Sequence, residues 1–222
     1  MVKVKICGIT NYEDAHMASD LGADLLGFIF VPNTPRCVDP EKVRDIVFEL
    51  RGRHDEIGFT GLFRDEDVSD VADVAAFAGL DLVQLHGREH PDYCAELKKK
   101  MKKDHDRDIR ILKVFKVMDE IRNIDGYVPG EYHEADYFVF DTYNREIPGG
   151  TGERFDWDIL ARTGGDIPRP YFLAGGLDPA NVAAAVRTAR PYGVDVSSGT
   201  ESGPGKKDKK LLKEFIKNAK EA

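Results

Sequence analysis

The chain has 222 residues, 41% hydrophobic and 32% charged, with a formal net charge of −8 and an isoelectric point near 5.3. That length suits one domain with a substantial core. The acidic balance argues against a general nucleic-acid binder, no apolar run approaches the ~20 residues of a membrane span, and the opening MVKVKIC is strand-like rather than a signal-peptide core.

Strand-like and amphipathic runs alternate from end to end. A strand over 2–7 leads to a helix over 11–21, capped by Thr10 or Asn11 and stopped by Gly22. Strand–helix pairs follow at 24–30 and 40–51, 57–63 and 67–78, 82–85 and 91–103, and 109–115 and 119–124. The last three pairs fall at 137–140 and 156–162, 171–174 and 179–189, and 194–196 and 207–220. Eight such units predict a single α/β domain over 1–222, a (β/α)8 TIM barrel with eight parallel strands. An open doubly wound sheet is the alternative, but CGIT follows the first strand where a dinucleotide fold carries GxGxxG. The KKKMKK run at 98–103 and the GKKDKKLLKEF tail read as solvated helix faces, the tail turning Leu211, Leu212, Phe215 and Ile216 inward. Cys7, Cys37 and Cys94 form no CxxC or zinc pattern and read as free thiols.

In a barrel of this kind the site lies at the C-terminal strand ends and the loops beyond them. The seventh and eighth exits, YFLAGGL and GVDVSSGTE, end apolar runs in Gly175, Gly176, Ser197, Ser198 and Gly199. Small residues there let an anion reach backbone N–H groups, which suggests a phosphorylated ligand. Lys3, Lys5 and Cys7 share one strand face. Cys7 reads either as a small buried hydrophobe or as a base whose pKa falls beside Lys5. Asp141, after the apolar YFVF, is either a loop-fixing carboxylate or an acid whose pKa partial desolvation raises. Arg36 is either a surface arginine or a bidentate clamp for a carboxylate.

Other positions are weaker. His86 reads first as a structural histidine. The GGTG run at 149–152 is either a hinge over a ligand or a tight connection. Lys113 would form an imine in a lyase, but an interior lysine paired with a carboxylate is favoured. Asp195 shares a face with Ser197. A non-catalytic phosphate-binding barrel would keep the glycine-rich exits without needing Cys7, Asp141 and Arg36 together.

Taken in order, VKVKICGIT, GFIF followed by TPR, VQLHG, VFDT, GGTGERFDW, LAGGLDPANV and GVDVSSGTE with PGKKD resemble the phosphoribosylanthranilate isomerase family over almost the whole chain. TPR stands where SPR is usual, FTGLF replaces VGVF, Thr200 takes the place of valine, and the lysine-rich stretch is long. The resemblance implies an isomerase of tryptophan biosynthesis that needs no cofactor and no metal. Its reaction would be the Amadori rearrangement of N-(5'-phosphoribosyl)anthranilate. Asp141 would protonate the furanose ring oxygen, and Cys7, as thiolate, would remove the C2 proton. Arg36 would hold the anthranilate carboxylate. The phosphate would lie on Gly175, Gly176, Ser198 and Gly199, with Ser197 beside it. The implied partner is a phosphorylated small molecule, with no nucleic acid and no membrane. The protein would be cytoplasmic, a monomer or a homodimer.

Overall fold

The computed structural model of the protein describes residues 1–54, 56–117, 121–122, 126–142, 157–163 and 167–222. Its strands are β1 (Lys3–Cys7), β2 (Leu25–Ile29), β3 (Gly58–Phe63), β4 (Leu82–Leu85), β5 (Arg110–Val117), β6 (Tyr137–Thr142), β7 (Tyr171–Leu173) and β8 (Gly193–Val196). All eight are parallel, each pairs with its sequence neighbours, and pairing of β8 with β1 closes the barrel. Both faces of each strand are covered, which is why the strands read as near-continuous apolar runs. Leu82, Leu112, Val114, Val139, Phe172 and Ala174 fill the barrel interior. Val4, Ile6, Phe138, Phe140, Leu173 and Val194 face outward and join the layer under the helices.

The helices are α1 (Tyr12–Asp20), α2 (Pro40–Arg51), α3 (Val68–Phe77), α4 (Pro91–His105), α5 (Asp158–Thr163), α6 (Val182–Ala189) and α7 (Lys209–Lys220). Asn11 caps α1 by accepting from the Asp14 amide at 2.8 Å, while Thr10 Oγ1 donates to the Gly205 carbonyl instead. Proline opens α2 and α4, where its missing N–H costs nothing. The lysine-rich run lies on α4, which continues to His105; Leu97 and Met101 are buried while Lys100 and Lys102 pair with Asp104 and Asp106. In α7 the buried face is Leu212, Phe215, Ile216 and Ala219; Leu211 is only half-buried. Among the described residues no helix is long and apolar enough to cross a membrane.

One expected helix is corrected. Residues 121–122 are extended, not helical, and pair antiparallel with the end of β5 through Lys116–Arg122 and Val117–Ile121. Strand β5 runs two residues beyond its expected end, so the chain folds back on it, and tertiary pairing overrides local helix propensity. Among the described residues, only a 3-10 turn at Pro129–Glu131 then precedes β6. The GGTG run at 149–152 lies outside the described residues.

Lys113 settles one alternative. Leu112 and Val114 face the interior, so Lys113 faces outward with Ile111 and Phe115. Its buried Nζ donates to Glu89 Oε2 at 2.6 Å and to the Gly87 carbonyl at 2.8 Å. It is the structural lysine of a buried pair, not an imine-forming residue at the mouth. Lys113→Met is expected to cost about 3–5 kcal/mol by stranding Glu89, a loss of roughly 10 °C in Tm. Calorimetry reading a change under about 2 °C would show that the pair does not hold this side of the barrel.

Candidate active site

Cys7 ends β1 and is 5% exposed. Two residues back on the same face, the buried Lys5 Nζ donates to both carboxylate oxygens of Asp195 at 2.9 and 2.8 Å. Gly27, the register partner of Cys7 on β2, makes room for both groups. A Cβ there would lie 2.9 Å from Cys7 Sγ and 3.1 Å from Lys5 Nζ. Burial pushes the Cys7 thiol up, Asp195 adds to the rise, and the pull of the Lys5 ammonium does not cancel them. The expected fall in the Cys7 pKa is therefore reversed in the free protein, where the group rests as a thiol. Lys5 stays charged: burial opposes the charge, but the Asp195 carboxylate accepting with both oxygens holds it.

Asp141 sits three strands round the barrel, on β6. Lys116 shares the inward face of β5 with Leu112 and Val114 and is the register partner of Asp141. Its Nζ donates to Asp141 Oδ2 and lies 3.1 Å from His86 Nε2, just beyond β4. His86 Nε2 is in turn 3.4 Å from Asp141 Oδ2. Burial favours a protonated Asp141, but the Lys116 charge and the His86 hydrogen bond overcome it and hold the carboxyl well below the usual range. This corrects the expected rise: desolvation is present, and a counter-charge from the neighbouring strand wins. Burial and then Lys116 lower the His86 pKa, so the imidazole is neutral.

Gly175 closes against this cluster with φ +87°. A Cβ on it would fall 2.3 Å from Thr142 Oγ1, 2.5 Å from the Thr142 amide and 2.8 Å from Asp141 Oδ1. Both the left-handed backbone and the close approach require glycine.

Arg36 is held on the loop after β2, where Cys37 bridges to Ile29. Its Nε and Nη2 donate to Glu201 Oε1 and Oε2 at 2.9 and 2.7 Å, and Lys207 Nζ donates to Glu201 Oε1 at 3.1 Å. The clamp foreseen for a ligand carboxylate is thus already forked onto a protein carboxylate. Among the described residues Nη1 makes no hydrogen bond. Arg36 does belong to the mouth: a Cβ on Gly8, next to Cys7, would lie 2.8 Å from both Arg36 Cδ and Ser197 Oγ.

The two glycine-rich exits touch. A Cβ on Gly199 would fall 1.9 Å from the Leu177 carbonyl oxygen, so the loops after β7 and β8 pack backbone to backbone. Among the described residues, the amides of Gly175, Gly176, Ser198 and Gly199 have no backbone carbonyl partner. Ser198–Thr200 forms a single 3-10 turn beside them. Among the buried polar atoms without a hydrogen-bond partner in the described residues are His86 Nδ1, Thr142 Oγ1 and Ser197 Oγ, all at this end of the barrel. The opposite end holds a cavity of about 350 Å³ ringed by ion pairs such as Lys3–Asp24 and Arg51–Asp81 at 2.9 and 2.7 Å. Those pairs hold the N-terminal end of the barrel together.

Cys7, Asp141, Arg36, His86, Gly175, Gly176, Ser197, Ser198 and Gly199 therefore lie at one mouth, whereas Lys113 faces outward. Lys116, Glu201 and Lys207 join them there, and His86, which reads from sequence first as a structural histidine, lies beside Lys116 and Asp141. Lys116 carried a legible signal: it lies on the same strand face as the interior Leu112 and Val114.

The family model for N-(5'-phosphoribosyl)anthranilate (PRA) isomerase matches residues 4–218. A curated relative from Pelobacter propionicus, named N-(5'-phosphoribosyl)anthranilate isomerase, is 44% identical and spans 100% of this chain and 97% of its own. The crystal structure of phosphoribosyl anthranilate isomerase from Thermotoga maritima superposes with a TM-score of 0.87 at 40% identity, covering 100% of both chains. A further structure of such an isomerase, in complex with reduced 1-(o-carboxyphenylamino)-1-deoxyribulose 5-phosphate, gives a TM-score of 0.83 at 37% identity over 100% of both chains.

Proposed function

This chain belongs to the N-(5'-phosphoribosyl)anthranilate isomerase family, and we propose that it works with Cys7 as base and Asp141 as acid. Its reaction is the Amadori rearrangement of N-(5'-phosphoribosyl)anthranilate to 1-(2-carboxyphenylamino)-1-deoxyribulose 5-phosphate, an aldose–ketose isomerisation of tryptophan biosynthesis. The observation that carries the residue roles is the convergence of an inward thiol, an inward carboxyl and a guanidinium at one barrel mouth, next to two exits whose amides have no backbone partner among the described residues.

Asp141 gives a proton to the furanose ring oxygen, which becomes the C4 hydroxyl as the ring opens. The anthranilate nitrogen lone pair then forms an iminium at C1. That cation acidifies the C2 proton, which passes to the Cys7 thiolate, leaving an enolamine. Cys7 can return a proton to C1. The C2 hydroxyl gives up its own proton as the ketone forms, and that proton replaces the one Asp141 spent. No proton is gained or lost overall, and the substrate's nitrogen is the electron sink.

The free protein rests as Cys7 thiol and Asp141 carboxylate, the reverse of the reacting pair. Both forms hold one proton between the two groups. The reacting form needs only that proton to move from sulfur to carboxyl. A phosphate on the Gly175–Gly176 and Ser198–Gly199 amides, with Ser197 Oγ beside it, anchors one end of the ligand. The Nη1 side of Arg36 anchors the anthranilate carboxylate at the other. Anchoring at both ends places the ribose between acid and base, and positioning of that kind supplies several kcal/mol of the barrier reduction.

The direct test is a fluorescence assay that follows loss of phosphoribosylanthranilate with and without the purified protein. Arg36→Ala is expected to raise KM by roughly 10–100-fold, the scale of a lost charge-assisted hydrogen bond. Turnover should change little, and Lys207 still covers Glu201. A change confined to thermal stability would make Arg36 a structural residue. A biosynthetic isomerase with a phosphorylated substrate is consistent with a cytoplasmic protein, and size-exclusion chromatography would decide between monomer and homodimer.

A further inference from the structure

The structure carries a second group of chemically capable side chains, far from the mouth. His16 lies on α1, Asp20 ends the same helix one turn later, and His54 lies on the connection from α2 to β3. The three offer ligand atoms that all fall within 4.8 Å of one another. His16 Nδ1 is 3.5 Å and His54 Nε2 is 3.4 Å from the same oxygen, Asp20 Oδ1.

These distances are long for the hydrogen bonds an imidazole makes to a carboxylate, which cluster near 2.7–3.2 Å. Both ring nitrogens are buried as atoms, and neither has a hydrogen-bond partner among the described residues. A buried nitrogen that faces an oxygen without bonding to it costs free energy unless something lies between them. The spacing fits a metal ion. With ligand bonds of about 2.0–2.1 Å, the edge of a coordination tetrahedron is about 3.4 Å. Two of the edges here have that length already, and the third, between the two ring nitrogens, is no longer than 4.8 Å.

We propose that His16, Asp20 and His54 bind one divalent transition-metal ion, with water in the fourth position. Two imidazoles and a carboxylate in tetrahedral array suit Zn2+, and imidazole donors also accept Co2+ and Ni2+. Asp20 is 57% exposed, which leaves the ion open to solvent on one side. Tyr12 packs against the His16 ring at 5.7 Å and steadies its orientation. The ion would clip the end of α1 to the end of α2 at the N-terminal face of the barrel, on the side away from Cys7 and Asp141. Its role is to stabilise the fold, so it is independent of the reaction proposed above.

The test uses tag-free, chelator-stripped full-length protein titrated with Zn2+ by calorimetry. The expected result is one ion per chain, with a Tm rise of ~5–10 °C at a hundredfold excess over the dissociation constant. His16→Gln and His54→Gln should each abolish the rise, although without metal they melt near the stripped wild-type protein. Co2+ in place of Zn2+ should give the visible absorption of a tetrahedral site in the wild-type protein and in Cys37→Ser, and none in either histidine variant. Absence of binding would overturn the proposal. So would binding that survives in both histidine variants or vanishes in Cys37→Ser, since the exposed Cys37 thiol would then be the ligand.

Discussion

Asp141→Asn is expected to lower kcat by ~10²–10⁴-fold, the range for a positioned general acid. The amide keeps the shape of the carboxyl and can still accept from Lys116, so the fold and the β5–β6 register survive. It cannot pass a proton to the ring oxygen. Affinity for the reduced product analogue, measured by calorimetry, should stay within a few-fold, because the phosphate and carboxylate anchors are elsewhere. Turnover equal to wild type would remove Asp141 from the mechanism. A joint loss of turnover and analogue binding would make it a residue that only shapes the mouth.

Lys116→Met separates the role of the acid from the control of its charge. The Lys116 ammonium and His86 hold Asp141 ionised against the pull of burial. Removing the ammonium lets burial dominate, so the Asp141 pKa rises. Activity needs one proton shared between Asp141 and Cys7, and it falls at low pH when both groups hold one. The acid limb of kcat/KM should therefore move to higher pH in Lys116→Met, while the alkaline limb, set by Cys7, stays in place. An unmoved acid limb would show that Lys116 does not set the charge of Asp141 in the free enzyme.

The barrel was legible in the sequence because each strand is covered on both faces and most units carry their own stop and start signals. Asn11, Gly22, Pro40 and Pro91 mark helix ends that depend only on local backbone chemistry. The identity of the site residues was legible for a related reason. Barrel strands end at the mouth, so the last inward residue of a strand, such as Cys7 or Asp141, can be found by alternation alone. Their protonation states could not be found that way. They depend on which residue lies across the strand pair: Lys116 beside Asp141, and Asp195 capping the Lys5 charge that would otherwise favour a thiolate. Register between β5 and β6 is a property of the closed barrel, not of either segment. The fork of Arg36 on Glu201 escaped for the same reason, since the two are 165 positions apart in the chain. The strand at 121–122 is invisible in the sequence because a two-residue pairing leaves no periodicity to detect.

Cys7→Ser replaces one atom and is expected to cost at least ~10²-fold in turnover. A hydroxyl is a far weaker acid than a thiol, so the population able to take the C2 proton nearly vanishes. The Lys5–Asp195 pair and the space left by Gly27 are unchanged, so the variant should fold and should bind the product analogue as the wild type does. Alkylation of the wild-type thiol provides an independent reading, since its rate follows the thiolate fraction. Burial and Asp195 push the Cys7 pKa up, so alkylation at this residue should reach half its maximum at a pH above that of an ordinary free thiol. Lys5→Met removes the charge that pulls it down and leaves Asp195 unpaired, so the midpoint should climb further. Bound product analogue should protect Cys7 from the reagent if the thiol faces the ribose. Full turnover in Cys7→Ser, or alkylation indifferent to the analogue, would place the base elsewhere in the mouth.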